Sequence, residues 1–329
     1  MEKINWGFIS TAKIGLEKVG PALKKSRLGQ FEAIASRSMS NARKAAEALN
    51  VPRIYGSYED LLADKSIQAV YIPLPNHLHA EWTHKALLAG KHVLCEKPLT
   101  PDLEQTKAFV NMTAQFPALK VMEAFMYRFH PQWEKAKNWI SQGKIGELRT
   151  IHSDFCYFNT DPENIRNIRD FGGGGLLDIG CYCISVARFI FEKEPVRVSG
   201  TIDFDPVFKT DRLASGILDF QGATATFTCS TQLPNRQSLF IHGTEATIEI
   251  PMPFNPAPEL NAQINLIVNG NIVDKTFALA DQYTLECDSF SKSIIDDSPV
   301  ATPLTDALNN AAIIDAIFRS SETGKWITL

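Results

Sequence analysis

From residue 4 to about residue 123, short apolar runs alternate with amphipathic segments of helical period, and this alternation constrains the fold more than any other feature of the chain. The runs Ile4 to Ile9, Phe31 to Ala35, Ala69 to Ile72, Lys91 to Leu94 and Leu119 to Met122 read as strands. Helices are predicted between them near Ile14 to Lys25, Asn41 to Leu49, Tyr58 to Ala63, Leu78 to Leu88 and Leu103 to Ala114, with Gly90 just past a helix end, where glycine closes helices. Strands regularly separated by helices form a parallel sheet covered on both faces, so the chain is of α/β class.

The length of 329 residues predicts two domains. With 44% hydrophobic and 21% charged residues the chain can bury a large core, which excludes a disordered protein. A net charge of -4 without blocks of like charge argues against nucleic acid or an anionic membrane as partner. Six cysteines with no C-x-x-C read as free buried thiols in a reducing compartment. Met1 runs almost directly into the first strand, leaving no room for a cleavable signal, and no stretch approaches a membrane span, so a cytoplasmic location is expected.

The ends of the strands carry the chemistry, because ligands of open α/β sheets bind at the carboxyl edge. The first strand leads through Ser10-Thr11-Ala12-Lys13-Ile14-Gly15 into a helix. In the fingerprint G-x-G-x-x-G, small residues let a pyrophosphate approach a helix N-terminus, whose N–H groups and dipole favour anions. Here the aligned positions are Ser10, Ala12 and Gly15, so two glycines are replaced while the strand-to-helix context is kept. The second strand ends in Ser36-Arg37-Ser38, where an NAD protein carries an acidic residue for the ribose 2′-hydroxyl. A guanidinium flanked by hydroxyls suits a 2′-phosphate, which favours NADP and leaves NAD open. The loop Pro73-Leu74-Pro75-Asn76-His77 leaves the strand ending at Ile72 at the same edge and is a further cofactor contact. His77, His79, His84 and His92 are not arranged with cysteine or carboxylate as a recognisable zinc set, so no metal is expected.

A second informative stretch is Gly172-Gly-Gly-Gly-Leu-Leu-Asp-Ile-Gly-Cys-Tyr182. Four glycines in a row cost entropy and let backbone pass close to a ligand. The apolar pattern that follows reads as a buried helix, and the i, i+4 spacing places Asp178 and Tyr182 on one face of it. Two readings stand at this point: a pair of site residues at the mouth of a glycine loop, or a helix-start aspartate beside a core tyrosine.

The small-residue turn, Glu96-Lys97-Pro98, the stretch Glu123-Ala124-Phe125-Met126-Tyr127-Arg128-Phe129-His130-Pro131, and the glycine run with Asp178 and Tyr182 form an ordered set. In that set the chain resembles the glucose-fructose oxidoreductase, inositol dehydrogenase and MocA family over nearly its whole length. The resemblance implies a Rossmann dinucleotide-binding domain over 1–124 and an α+β domain over 125–329 with an open, mostly antiparallel sheet for substrate binding and oligomer contacts, hence a homodimer or higher homo-oligomer. The later sequence agrees independently. Alternation at Ala223 to Cys229, Leu239 to His242 and Ala246 to Ile250, a hairpin at Asn269-Gly270, and helices near Thr284 to Ile295 and Asp306 to Ser320 are all predicted.

Tyrosine at 182 resembles the sugar dehydrogenases and dimeric dihydrodiol dehydrogenases, where inositol dehydrogenases have histidine. The resemblance thus implies hydride transfer between NADP and a small polyhydroxylated or diol alcohol or ketone. That reaction needs a proton carrier at the carbinol oxygen. Tyr182 is the candidate acid/base, and since an unperturbed tyrosine has a pKa of about 10, the positive charge of Lys97 is needed to favour the phenolate. Asp178 is expected to position Lys97 and substrate, and Glu96 to serve the cofactor side or the turn. Tyr157, Arg166 and Arg169 are candidate substrate contacts. Arg128 and His130 fall at the domain junction. Competing functions on this scaffold are a biliverdin-reductase-like reductase and a non-catalytic NADP-sensing regulator, and retention of both Lys97 and Tyr182 favours an enzyme.

Overall fold

The computed structural model describes residues 3–329, so the first two residues of the expected direct start at Met1 lie outside the described residues. The chain divides into two compact units, one running up to Phe129 and including Asp281–Leu308, the other formed by His130–Ala280 and Asn309–Leu329. The division expected at 124/125 is therefore corrected: residues 281–308 group with the first unit.

In the first unit β1 (Ile4–Ile9), α1 (Gly20–Lys25), β2 (Gly29–Ala35), α2 (Met39–Leu49), β3 (Arg53–Tyr55), α3 (Tyr58–Ala63), β4 (Ala69–Ile72), α4 (His79–Leu88), β5 (His92–Glu96), α5 (Leu103–Thr113) and β6 (Val121–Ala124) follow one another. The strands lie in the order β3-β2-β1-β4-β5-β6, all parallel. β3 was not among the expected strands, because its three residues include no buried position and so leave no apolar run. One sheet face packs Trp6, Phe8, Leu23 and Phe31, the other Leu61, Val70, Trp82 and Phe109. Covered twice, β4 is buried at every residue, which is why Ala-Val-Tyr-Ile reads as a continuous apolar run. Gly90 takes a φ of 75° beyond α4, as its sequence position predicts.

The second unit contains α6 (Pro131–Ser141), β7 (Leu148–Phe158), α7 (Cys181–Phe191), β8 (Arg197–Phe204), β9 (Asp211–Asp219), β10 (Thr224–Ser230), β11 (Gln232–Gly243), β12 (Thr247–Ile250), β13 (Ala262–Val268) and β14 (Asn271–Ala278). After these come α8 (Gln282–Ile295), α9 (Leu304–Thr323) and β15 (Ile327–Thr328). The nine strands of the second sheet run β14-β13-β12-β11-β7-β10-β9-β8-β15, and only the β7–β10 pair is parallel. Along β7, Ile151, Ser153 and Phe155 are buried while Thr150, His152 and Asp154 are half-buried, the alternation of a sheet covered on one face. α7 packs on β7 and β10, and α6 on β13 and β14. Asn269 and Gly270, both at positive φ, close the β13–β14 hairpin as predicted. The small and polar buried residues of β7, Ser153 and Cys156, hid that strand from an apolar pattern.

Contrary to expectation, one stretch among the described residues, Arg169–Phe191, is long and apolar enough to cross a membrane. Its most apolar window is 83% buried inside the protein, as befits a core helix. All six cysteines are buried free thiols. In the first unit α8 returns Cys287 and Phe290 to the face that holds Trp6, whose indole N–H donates to Ser291 Oγ at 3.1 Å.

Candidate active site

The candidate residues fall in both units, and each group has its own architecture. In the first unit, Ser10 ends β1 with a φ of 115°, a conformation that glycine adopts freely and a side chain resists. Its hydroxyl accepts the Ala12 N–H at 3.2 Å and donates to the Pro73 carbonyl at 3.4 Å, which offsets the strain. The fingerprint's first glycine is thus replaced in residue type but kept in conformation. The helix that follows opens with a π-type turn at Gly15–Val19. A Cβ on Gly15 would lie 3.4–3.6 Å from Phe8 and Pro73, ordinary contact distances, so the helix start packs on the strand here with room for a methyl group. Thr11 and Ile14 are half-buried, and Lys13 is exposed 3.9 Å from Glu17.

Arg37 is exposed just beyond β2, where its charge is felt by the Tyr58 hydroxyl. The two serines beside it are already engaged with backbone. Ser36 is buried and accepts the Ser38 N–H, and Ser38 caps α2 by accepting the Asn41 N–H. In the loop after β4, Pro73 and Leu74 are buried, with the Leu74 side chain in the core, while Asn76 and His77 are half-buried in a short 3-10 turn.

The turn that carries Lys97 is fixed from three directions. Glu96 Oε1 accepts the Tyr71 hydroxyl at 2.6 Å and Oε2 accepts the Lys97 N–H at 3.3 Å, so Glu96 serves the turn. Glu123 Oε1, from β6, accepts the Leu99 N–H at 3.0 Å. His79, fully buried, holds the carbonyls of Pro98 and Leu74 at 2.9 and 2.7 Å. Burial pulls this imidazole down to about 4 against the two carbonyls, so the neutral ring donates to one of them only. Lys97 itself is half-buried and joined to Pro98 by a cis peptide. On α8, the fully buried Glu286 is pushed well above the usual carboxylate range, first by burial and then by Glu96. Nothing in the sequence marks Tyr71, His79, Glu123 or Glu286 as a brace of this turn, and only the chain's return at α8 makes Glu286 a neighbour of Glu96.

In the second unit Asp178 sits in a π-type turn, Leu176–Gly180, that runs into α7. Its Oδ2 accepts both the Tyr157 hydroxyl at 2.7 Å and the Arg166 Nε–H at 2.8 Å. Burial and the adjacent Asp178 push the Tyr157 hydroxyl far up, so it stays protonated as the donor. Arg169 lies exposed in the following turn, outside this trio. Tyr182 is 5% exposed, its ring centroid 5.6 Å from Phe155 and 5.4 Å from Phe254.

The helix-start role that one reading gave to Asp178 belongs instead to Asp211. This residue is 2% exposed and its Oδ2 accepts the Leu176 N–H at 2.5 Å. The glycine run also has an internal reason. A Cβ on Gly173 would lie 2.5 Å from the Arg166 carbonyl oxygen, and one on Gly174 1.9 Å from Asp211 Oδ1. The expectation that these glycines serve ligand approach is therefore revised: Gly173 and Gly174 admit the protein's own atoms. His130, at the other predicted junction position, accepts the Gln132 N–H at the start of α6, and Arg128 donates to Asp306 at 2.8 Å within the first unit.

The strand order of the first unit, with a small-residue turn between β1 and its helix, defines a dinucleotide-binding Rossmann protein. Residues 4–123 match the family model described as oxidoreductase family, NAD-binding Rossmann fold, and residues 133–249 match the GFO/IDH/MocA C-terminal domain. The chain belongs to the Gfo/Idh/MocA family of oxidoreductases. It is 42% identical to an uncharacterized oxidoreductase, ORF334, of Rhizobium meliloti over 100% of both chains. It is 37% identical to D-xylose 1-dehydrogenase (NADP(+)) 2 of Haloferax volcanii, over 98% of this chain and 99% of that one. Among solved structures, KijD10, a 3-ketoreductase from Actinomadura kijaniata in complex with NADP and TDP-benzene, is similar with a TM-score of 0.90 and 29% identity, covering 97% of this chain and 98% of that one.

Proposed function

We propose that this chain is an NADP-dependent dehydrogenase or reductase acting on a sugar, sugar-derived or trans-dihydrodiol alcohol or ketone. The observation that carries the reading is the combination, in a family with named sugar dehydrogenases and ketoreductases, of Lys97 on a braced turn and a buried Tyr182 above an Asp178 held by Tyr157 and Arg166. The residues fit a dinucleotide: Ser10 holds a glycine conformation at a helix start, where N–H groups lack intrahelical partners, and Arg37 stands exposed beyond β2. Ser10, Thr11, Ala12, Lys13, Ile14 and the loop from Pro73 to His77 would hold the pyrophosphate side, and Arg37 the 2′-phosphate. When bound, the nicotinamide supplies or takes up the hydride.

The chain's own residues then handle the proton. In oxidation Tyr182 takes the carbinol proton as the hydride leaves carbon, and in reduction it returns one to the carbonyl oxygen. Lys97 favours the phenolate electrostatically and, as a donor, steadies charge on the substrate oxygen. Asp178, oriented by Tyr157 and Arg166, positions a substrate hydroxyl. The open face of the nine-stranded sheet is the surface for a homodimer or higher homo-oligomer.

A screen of pentoses, hexoses, anhydrosugars and dihydrodiols with NADP and NAD, read at the nicotinamide absorbance, tests the proposal. Turnover of at least one class with NADP preferred is expected. Tight NADPH binding with no turnover across the panel would replace it with the sensor reading.

A further inference from the structure

We propose that Asp211 is a positioning residue for this reaction: its carboxyl group, seated in the space Gly174 leaves, closes the start of the helical segment that carries Asp178 and Tyr182. The inference rests on the reading of those two residues as the reacting site.

Asp211 opens β9, yet its side chain serves a segment 35 residues earlier. Oδ2 accepts the Leu176 N–H at 2.5 Å, and a Cβ on Gly175 would lie 3.5 Å from the same oxygen, so the backbone of Gly175 also runs beside this carboxyl. The Leu176 N–H is a donor at a helix start, which lacks an intrahelical partner. Gly174 has a φ of 124°, and a Cβ there would stand 1.9 Å from Oδ1. The seat is thus made of backbone, and an added methyl group would take the carboxylate's place. Two residues beyond Leu176 lies Asp178, held by Tyr157 and Arg166, so a shift at Leu176 is felt by that network at once.

The groups facing Asp211 come from three elements: Asp178 from the π-type turn, Tyr157 from β7 and the buried thiol of Cys229 from β10. Arg166, the cation of this group, is committed to Asp178. Burial pushes Asp211 up to about 7, helped by Asp178 and opposed by the Leu176 N–H. A closed segment therefore holds this proton more tightly than an opened one, with Oδ2 still accepting the Leu176 N–H, so the closure weakens as pH rises through that range.

The test compares wild type, Asp211→Asn and Gly174→Ala in the full chain by hydrogen exchange of 172–182, corrected for intrinsic rates, and by kcat, KM and NADPH affinity against pH. Wild-type protection of the segment and kcat should both fall together as pH rises above about 7. Asp211→Asn should lose that limb in both readouts, keeping at high pH the protection and kcat that wild type shows at low pH, with NADPH affinity unchanged within about twofold. Gly174→Ala should raise exchange of the segment. Unchanged protection in wild type from a pH of about 6 to about 8, or the same limb in Asp211→Asn, overturns the proposal. If Asp211→Asn does not fold, the wild-type exchange profile and Gly174→Ala still decide. Exchange is read without turnover, so failure of the Tyr182 reading is seen separately, as full activity of Tyr182→Phe.

Discussion

Tyr182→Phe removes one oxygen and leaves the ring against Phe155 and Phe254, so it separates chemistry from packing. Turnover should fall by about 10²–10⁴-fold, the usual worth of a positioned acid/base, with NADPH affinity and melting temperature nearly unchanged. Steady-state kinetics beside cofactor titration check this, and a variant within twofold of wild type would remove Tyr182 from the mechanism. Arg37→Ala should weaken NADPH by about 10- to 100-fold, as losing charge-assisted hydrogen bonds does, and leave NADH almost untouched. Equal losses for both cofactors would count against a 2′-phosphate contact. At this scale the sequence offers candidates where a residue type suggests a chemistry, as with Lys97, Arg37 and Tyr182, whose proposed roles the variants above test. Asp211 announced nothing, because its partner is a backbone amide of a distant segment. The only sign of it was Gly174, whose missing side chain marks the seat.

A turn or helix start is set by what braces it from outside, and here the braces are buried polar side chains on other elements. The α/β alternation of the first sheet was readable because each strand is apolar and each helix amphipathic, while β3, β7, β8 and β9 escaped because short or polar-lined strands lack that contrast. Asp211→Asn also carries a stability prediction. The native carboxyl is raised from 3.8 to about 7, so folding is favoured by the proton; wild-type stability falls as pH rises from about 4 through 7 and is constant beyond. Relative to wild type, Asp211→Asn should therefore gain roughly 2–4 kcal/mol between the two ends of that window. Denaturant midpoints at both ends measure it, and a pH-independent difference would contradict the assignment. At the end of the first unit, Arg128 and Asp306 are 11% and 16% exposed and 2.8 Å apart. Asp306→Ala takes the carboxylate from a largely buried guanidinium that keeps the Tyr127 hydroxyl, and should cost about 1–3 kcal/mol, less than a fully buried pair because some solvent reaches it. A urea midpoint unchanged by Asp306→Ala would refute that.

For the whole molecule, the return of residues 281–308 to the first unit is the feature that a linear reading of the chain did not see. Helical period predicted α8 itself; which unit it joins depended on Cys287 and Phe290 fitting the face around Trp6, a matter of tertiary packing. The proposed homo-oligomer is tested by light scattering on the purified chain, where a single monomeric species at micromolar concentration would exclude it. The returning segment also orders events on the ribosome. The Rossmann sheet is the first part of the chain to emerge, yet Trp6, Leu23 and Phe31 stay partly uncovered until Phe290 has been made. At about 5–20 residues per second, that leaves a nascent nucleotide-binding sheet with a bare apolar face for roughly ten seconds or more. Most of the second unit is by then synthesised, so the unit that begins first is completed only after the body of the second has been made, and the newborn sheet is a natural client for chaperones that bind exposed apolar surface.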